Sequence, residues 1–103
     1  MAETHRTRLM KRITSESVQD IGGYLSAWRR ALRYPQTYVA AQADISVRTL
    51  SNLENGKGEP SLSTVIAVAH ALGIRDIIVR AFDPSTTEFG ALRMSSSLPT
   101  RVR

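Results

Sequence analysis

The chain has no cysteine, which excludes disulfides, thiolate zinc sites and a cysteine nucleophile. Its two histidines, His5 and His70, are too few for a multi-histidine metal site within one chain. No apolar run approaches ~18 residues, so no membrane span is expected. The opening stretch MAETHRTRLMKRITSES lacks the apolar core of a secretory signal. What is present fits one small domain of 103 residues. A hydrophobic share of 42% excludes wholesale disorder. Fourteen Lys/Arg against nine Asp/Glu leave a net charge of +5, a balance that points to an acidic partner, most commonly nucleic acid. The expectation is a soluble, cytoplasmic, basic domain without cofactor, metal or membrane partner.

Three segments are expected. Residues 1–16 are polar and place Arg6, Arg8, Lys11 and Arg12 within seven positions. They read as a flexible basic arm, solvated when free and able to order on phosphate. Residues 17–82 form the domain. Val18, Ile21, Leu25, Trp28 and Leu32 recur at three- and four-residue intervals, one stripe of an amphipathic helix. Tyr34-Pro35 ends it, and Pro35 fits the first turn of a second helix whose inner face is Val39, Ala40 and Ala43. Ser46 is a good N-cap for a third helix, Val47 to Asn55, with Leu50 and Leu53 inward. Asn55-Gly56-Lys57-Gly58-Glu59-Pro60 has loop composition, with Asn55 tolerant of the left-handed region.

Ser61 caps a fourth helix with Leu62, Val65, Ile66, Ala69 and Leu72 on one side and Gly73 as its stop. Ile74, Ile77, Ile78, Ala81 and Phe82 keep a helical period and read as a fifth helix, although Ile77-Ile78-Val79 also suits a strand. Residues 83–103 are a C-terminal extension, dimerising or partly disordered, with a short helix over Thr87 to Met94 ahead of a serine tail.

The stretch QTYVAAQADISVRTLSNLEN, Gln36 to Asn55, has the layout of a helix-turn-helix. Ala40 is small enough for two short helices to cross, and Val39, Ala43, Ile45, Leu50 and Leu53 would bury together. Asp44 accepts a positive φ in the turn, less readily than glycine. These residues, with Leu50-Ser51-Asn52-Leu53-Glu54-Asn55-Gly56-Lys57 and Glu59-Pro60-Ser61-Leu62 after them, resemble the Cro/C1-type (XRE) helix-turn-helix family of repressors over roughly residues 18–82. Small regulators and antitoxin-like members are the nearest likeness within it. Two positions depart from the family pattern: Asp44 stands where glycine is usual, and Pro35 where a threonine commonly caps the second helix.

The resemblance implies an all-α, five-helix repressor-like fold and a third helix that enters the major groove. Val47, Arg48, Ser51 and Asn52 would then face base edges. Arg48 suits guanine O6 and N7, Val47 a thymine methyl, and Asn52 either adenine or a phosphate. Gln36, Ser46, Asn55 and Lys57 map to phosphate contacts, although Lys57 reads almost equally well as a solvated loop lysine. Arg29 and Glu54 map to a largely buried ion pair between the first and third helices, a structural role.

The same resemblance implies a transcriptional regulator, a repressor acting as a homodimer on a pseudo-palindrome of double-stranded DNA. Ile74 to Met94 is its expected dimer surface. Catalysis is not expected, since His70 sits among alanines and NGKGEP lacks Walker spacing. The alternative is an antitoxin or interaction module with a toxin protein as partner. Trp28, Phe82, Phe89 and Met94 could build its contact surface, with core or dimer packing as their default role.

Overall fold

The computed structural model describes residues 4–97. Six α-helices follow one another: α1 His5–Ala31, α2 Gln36–Ala43, α3 Val47–Glu54, α4 Leu62–Ala71, α5 Arg75–Phe82 and α6 Glu88–Ser97, with a short 3-10 turn Pro84–Thr86 before the last. The all-α class stands as expected. Among the described residues there are six helices rather than five, the sixth where a short helix was expected over Thr87 to Met94, and Ile77-Ile78-Val79 is helical.

The largest departure lies at the N-terminal side. Residues 5–16 of the expected arm are the first half of α1, which runs unbroken from His5, while residues 1–3 lie outside the described residues. Thr4 starts it by accepting the Thr7 N–H on its hydroxyl at 3.0 Å. No proline or glycine interrupts the chain before Gly22, and Arg12 lies 3.9 Å from Glu16 one turn on. Basic composition alone argued for a coil; the cap and the absence of helix breakers decide for a helix.

Three helices end in the same way. Arg33, Asp44 and Gly73 adopt positive φ of 62°, 57° and 79° after α1, α2 and α4. In each case the next residue donates its N–H five positions back: Tyr34 to Arg29, Ile45 to Ala40 and Ile74 to Ala69, all at 2.9–3.0 Å. This is the Schellman closure, whose following residue turns inward. Tyr34 and Ile45 accordingly pack against the core, and Ile74 belongs to it. Helix α1 therefore stops at Ala31 through Arg33 rather than at Tyr34-Pro35, and Pro35 is the N-cap of α2 instead of part of its first turn.

The core unites Leu25, Val39, Ala40, Ala43, Leu50, Leu53, Val68, Ala69, Leu72 and Ile74. Full burial of a leucine such as Leu50 or Leu53 is worth about 1.5–3 kcal/mol. Helix α2 packs chiefly on α4, and α3 lies against both α1 and α2. The stripe expected on α1 turns mostly outward. Leu25 is buried, but Ile21, Leu32 and Trp28, the last 43% exposed, are on the surface.

Gly22 takes the inward place one turn before Leu25, because a Cβ there would collide with the Leu53 carbonyl. Leu62 is likewise 71% exposed rather than inward, since it opens α4 beyond the core. Ser95, Ser96 and Ser97 belong to α6 instead of a tail. The tail charges Arg101 and Arg103 lie outside the described residues.

Candidate nucleic-acid interface

The site is built on the tight join of α2 to α3. Asp44 in the left-handed region turns the chain, and Ser46 starts α3 by accepting the Thr49 N–H at 3.0 Å while donating to the Thr49 hydroxyl at 2.9 Å. At about 100° per residue, Leu50 and Leu53 face the core and Arg48 and Asn52 fall on the opposite side. Val47 and Arg48 are exposed on the first turn, and Ser51 and Asn52 are half-buried. These four residues share one outward strip. Arg48 has no carboxylate partner among the described residues, so its guanidinium is available to a ligand.

Asn55 closes α3 and donates its side-chain amide to the Ser51 carbonyl at 2.8 Å. The left-handed position expected at Asn55 falls on Gly56, with φ of 68°. The Lys57 N–H returns to the Asn52 carbonyl at 2.8 Å, leaving its side chain exposed on the loop. A Cβ added at Gly58 would stand 3.6 Å from the Asn52 Cβ, so the loop passes close to the Asn52 side chain.

Arg29 of α1 and Glu54 of α3 are brought together between the two helices. Arg29 Nε donates to Glu54 Oε2 at 2.7 Å and Nη2 to Oε1 at 3.0 Å, a two-pronged pair. Arg29 Nη1 also donates to the Tyr34 carbonyl at 3.0 Å. The two side chains are only 13% and 6% exposed. Gln36 completes the cluster by donating Nε2 to Glu54 Oε1 at 3.0 Å.

The Glu54 carboxylate thus ties α1 and the start of α2 to the end of α3, and Arg29 adds the α1–α2 turn through the Tyr34 carbonyl. Burial pushes the Glu54 carboxyl up, but the hydrogen bonds from Arg29 and Gln36, the guanidinium charge and a Ser26 hydrogen bond outweigh it and hold the group below its ordinary value. The hydrogen bond to Glu54 holds Arg29 above its ordinary value, against burial and with the carboxylate charge adding to it.

The phosphate candidates are placed unevenly. Gln36 has one amide hydrogen engaged by Glu54. The backbone N–H groups of Gln36 and Thr37, in the first turn of α2, donate to no acceptor among the described residues. With Pro35 as N-cap, no side chain covers that turn. Ser46 would reach a phosphate only by redirecting the hydrogen it gives Thr49. Gly22 was missed by sequence reasoning, although a glycine inside a helical pattern is itself a mark of close packing. Arg33 carried no such mark.

The family described as helix-turn-helix matches residues 25–77, from Leu25 in α1 into α5 and just over half of the chain. No characterised protein and no solved structure shows significant similarity to it.

Proposed function

Because the chain belongs to the helix-turn-helix family of Cro/C1 type, we propose that it is a sequence-specific regulator of transcription, a repressor that reads double-stranded DNA with α3. The observation that carries this reading is Arg48, exposed on the first turn of α3, opposite the Leu50–Leu53 side and without an acidic partner among the described residues. A guanidinium fork in that position matches guanine O6 and N7 and discriminates by about 1–3 kcal/mol. Val47, Ser51 and Asn52 supply the neighbouring base contacts. Gln36, Ser46, Asn55 and Lys57 border the strip and are assigned to phosphates. The bare first turn of α2 favours an anion beside Gln36.

Selection of bound sequences from random duplex DNA tests the assignment. Arg48→Ala is expected to lose preference at one base position. A uniform loss across all sequences would make Arg48 a phosphate contact instead.

A single small module covers too little DNA for high specificity, so a two-fold dimer on a pseudo-palindrome belongs to the proposal. Ile77, Phe82, Phe89 and Leu92 crowd the C-terminal side with exposed apolar surface, Phe82 at 81%. Equilibrium sedimentation is expected to give a dimer, and Phe82→Ser with Phe89→Ser a monomer. The same surface suits a toxin as the second reading. A toxin that co-purifies with the chain and is lost with Phe82→Ser and Phe89→Ser would favour it.

A further inference from the structure

The first half of α1 overhangs the loop that leaves α3, and between them lies a groove of about 830 Å³. Arg6, Lys11 and Thr14 line one wall; Gly56, Gly58 and Glu59 line the other. The helix-turn-helix match begins at Leu25, so the α1 wall is an addition to the shared domain. Resting on the DNA-binding reading above, we propose that this groove holds a stretch of DNA phosphodiester backbone flanking the bases read by α3.

Several features converge on that occupant. The α1 wall carries two cationic side chains and three hydroxyls around Met10 and Val18, and Arg8 and Arg12 extend the same basic segment. On the opposite wall the N–H groups of Gly58 and Glu59 donate to no acceptor among the described residues. Glu59 is held at a positive φ of 45°, a conformation that costs a non-glycine residue energy and that clusters at ligand clamps. Its carboxylate is one negative charge against Arg6, Lys11 and Lys57.

The groove is also held in place. A Cβ on Gly56 would stand 2.6 Å from Gln19 Cγ, so the loop rests directly on α1 at that point. Lys57, already assigned to a phosphate, projects from the same loop between the two groove glycines. Each DNA strand carries a charge every ~3.4 Å of axis, so a strand gripped at Lys57 brings further phosphates alongside. A helical wall keeps its cations at fixed spacing, whereas a flexible arm would lose entropy on ordering.

The test is binding of a labelled random-sequence duplex by fluorescence anisotropy between about 50 and 200 mM salt, where each phosphate contact contributes about −0.9 to the logarithmic salt slope. The double variant Arg6→Ala/Lys11→Ala is expected to flatten the slope by about two, so that the wild type loses about tenfold more affinity than the variant over this range. Lys57→Ala, the benchmark, flattens it by about one. The charge-conserving Arg6→Lys/Lys11→Arg keeps the wild-type slope, and far-UV circular dichroism checks that α1 is retained in each.

An unchanged slope in Arg6→Ala/Lys11→Ala beside a flattened Lys57→Ala would overturn the groove while leaving the DNA reading intact. A wild type that binds no duplex would overturn both. A glutamate-rich peptide bound by the wild type and lost in the double variant, with the DNA slope unchanged, would assign the groove to an acidic protein and overturn the proposal.

Discussion

The two parts of α1 both carry apolar residues and end up in different surroundings. From Gly22 to Ala31 the helix is fastened to α3 by the missing side chain at Gly22, by buried Leu25 and by the Arg29 pair with Glu54. From His5 to Ile21 no residue is buried, and Leu9, Met10, Ile13 and Ile21 face outward although they keep helical spacing. Apolar periodicity therefore announces a helix without choosing the face that packs. On α1 that face is chosen by a small residue that admits the α3 backbone and by a cation with a buried carboxylate to meet.

Removing the cation should have the largest effect on this contrast. Arg29→Ala leaves Glu54 buried with only Gln36 and Ser26 to satisfy it, and breaking a buried pair from one side costs about 3–5 kcal/mol. Urea denaturation at neutral pH reads this directly. The pair also predicts a pH dependence. Glu54 is held below its ordinary value of 4.5, so its contribution is present above that value and is lost as the pH falls through the folded one. Arg29 is raised above its ordinary value, so its share is fully present across the acid and neutral range. The stability gap between the wild type and Glu54→Gln should therefore shrink as the pH drops below 4.5. A gap that persists in acid would place the fastening elsewhere than in the charges.

What was legible in the sequence follows the same division between local and tertiary causes. The caps at Ser46 and Ser61 and the left-handed turns at Asp44 and Gly73 were readable because each is decided within a few residues. The outward strip of α3 came from the resemblance to the Cro/C1-type family, and helical spacing with Leu50 and Leu53 inward agrees with it. Arg33 was not readable, because arginine has no preference for the left-handed region; Tyr34, packed against the core, holds that turn closed. The hydrogen bond of Gln36 to Glu54 joins residues eighteen apart and depends on how α2 meets α3. The helical state of residues 5–16 was hidden by a composition that also suits disorder.

The contact at Gly22 should rank next. A methyl group there meets the Leu53 carbonyl and, at 3.2 Å, the Glu54 carbonyl carbon. Gly22→Ala is therefore expected to destabilise by about 1–3 kcal/mol, as overpacking does, despite the better helix propensity of alanine. Thermal unfolding followed at 222 nm checks it. A neutral or stabilising result would mean that α1 and α3 stand further apart than the contact requires, and the packed half would lose its distinguishing feature.

The smallest effect comes from the next residue and has the opposite sign. A Cβ on Gly23 meets nothing within 4 Å, and the residue is exposed in the interior of α1. Only helix propensity and unfolded-chain entropy then remain, and Gly23→Ala should stabilise by about 0.4–1 kcal/mol. The gain depends on α1 being continuous through the glycine pair. If the helix breaks there in solution, alanine at position 23 brings little or destabilises, and the first half of α1 is then no extension of the packed helix. Two adjacent glycines, one refusing a methyl group and one gaining from it, thus test where the packed half begins and whether the exposed half continues it.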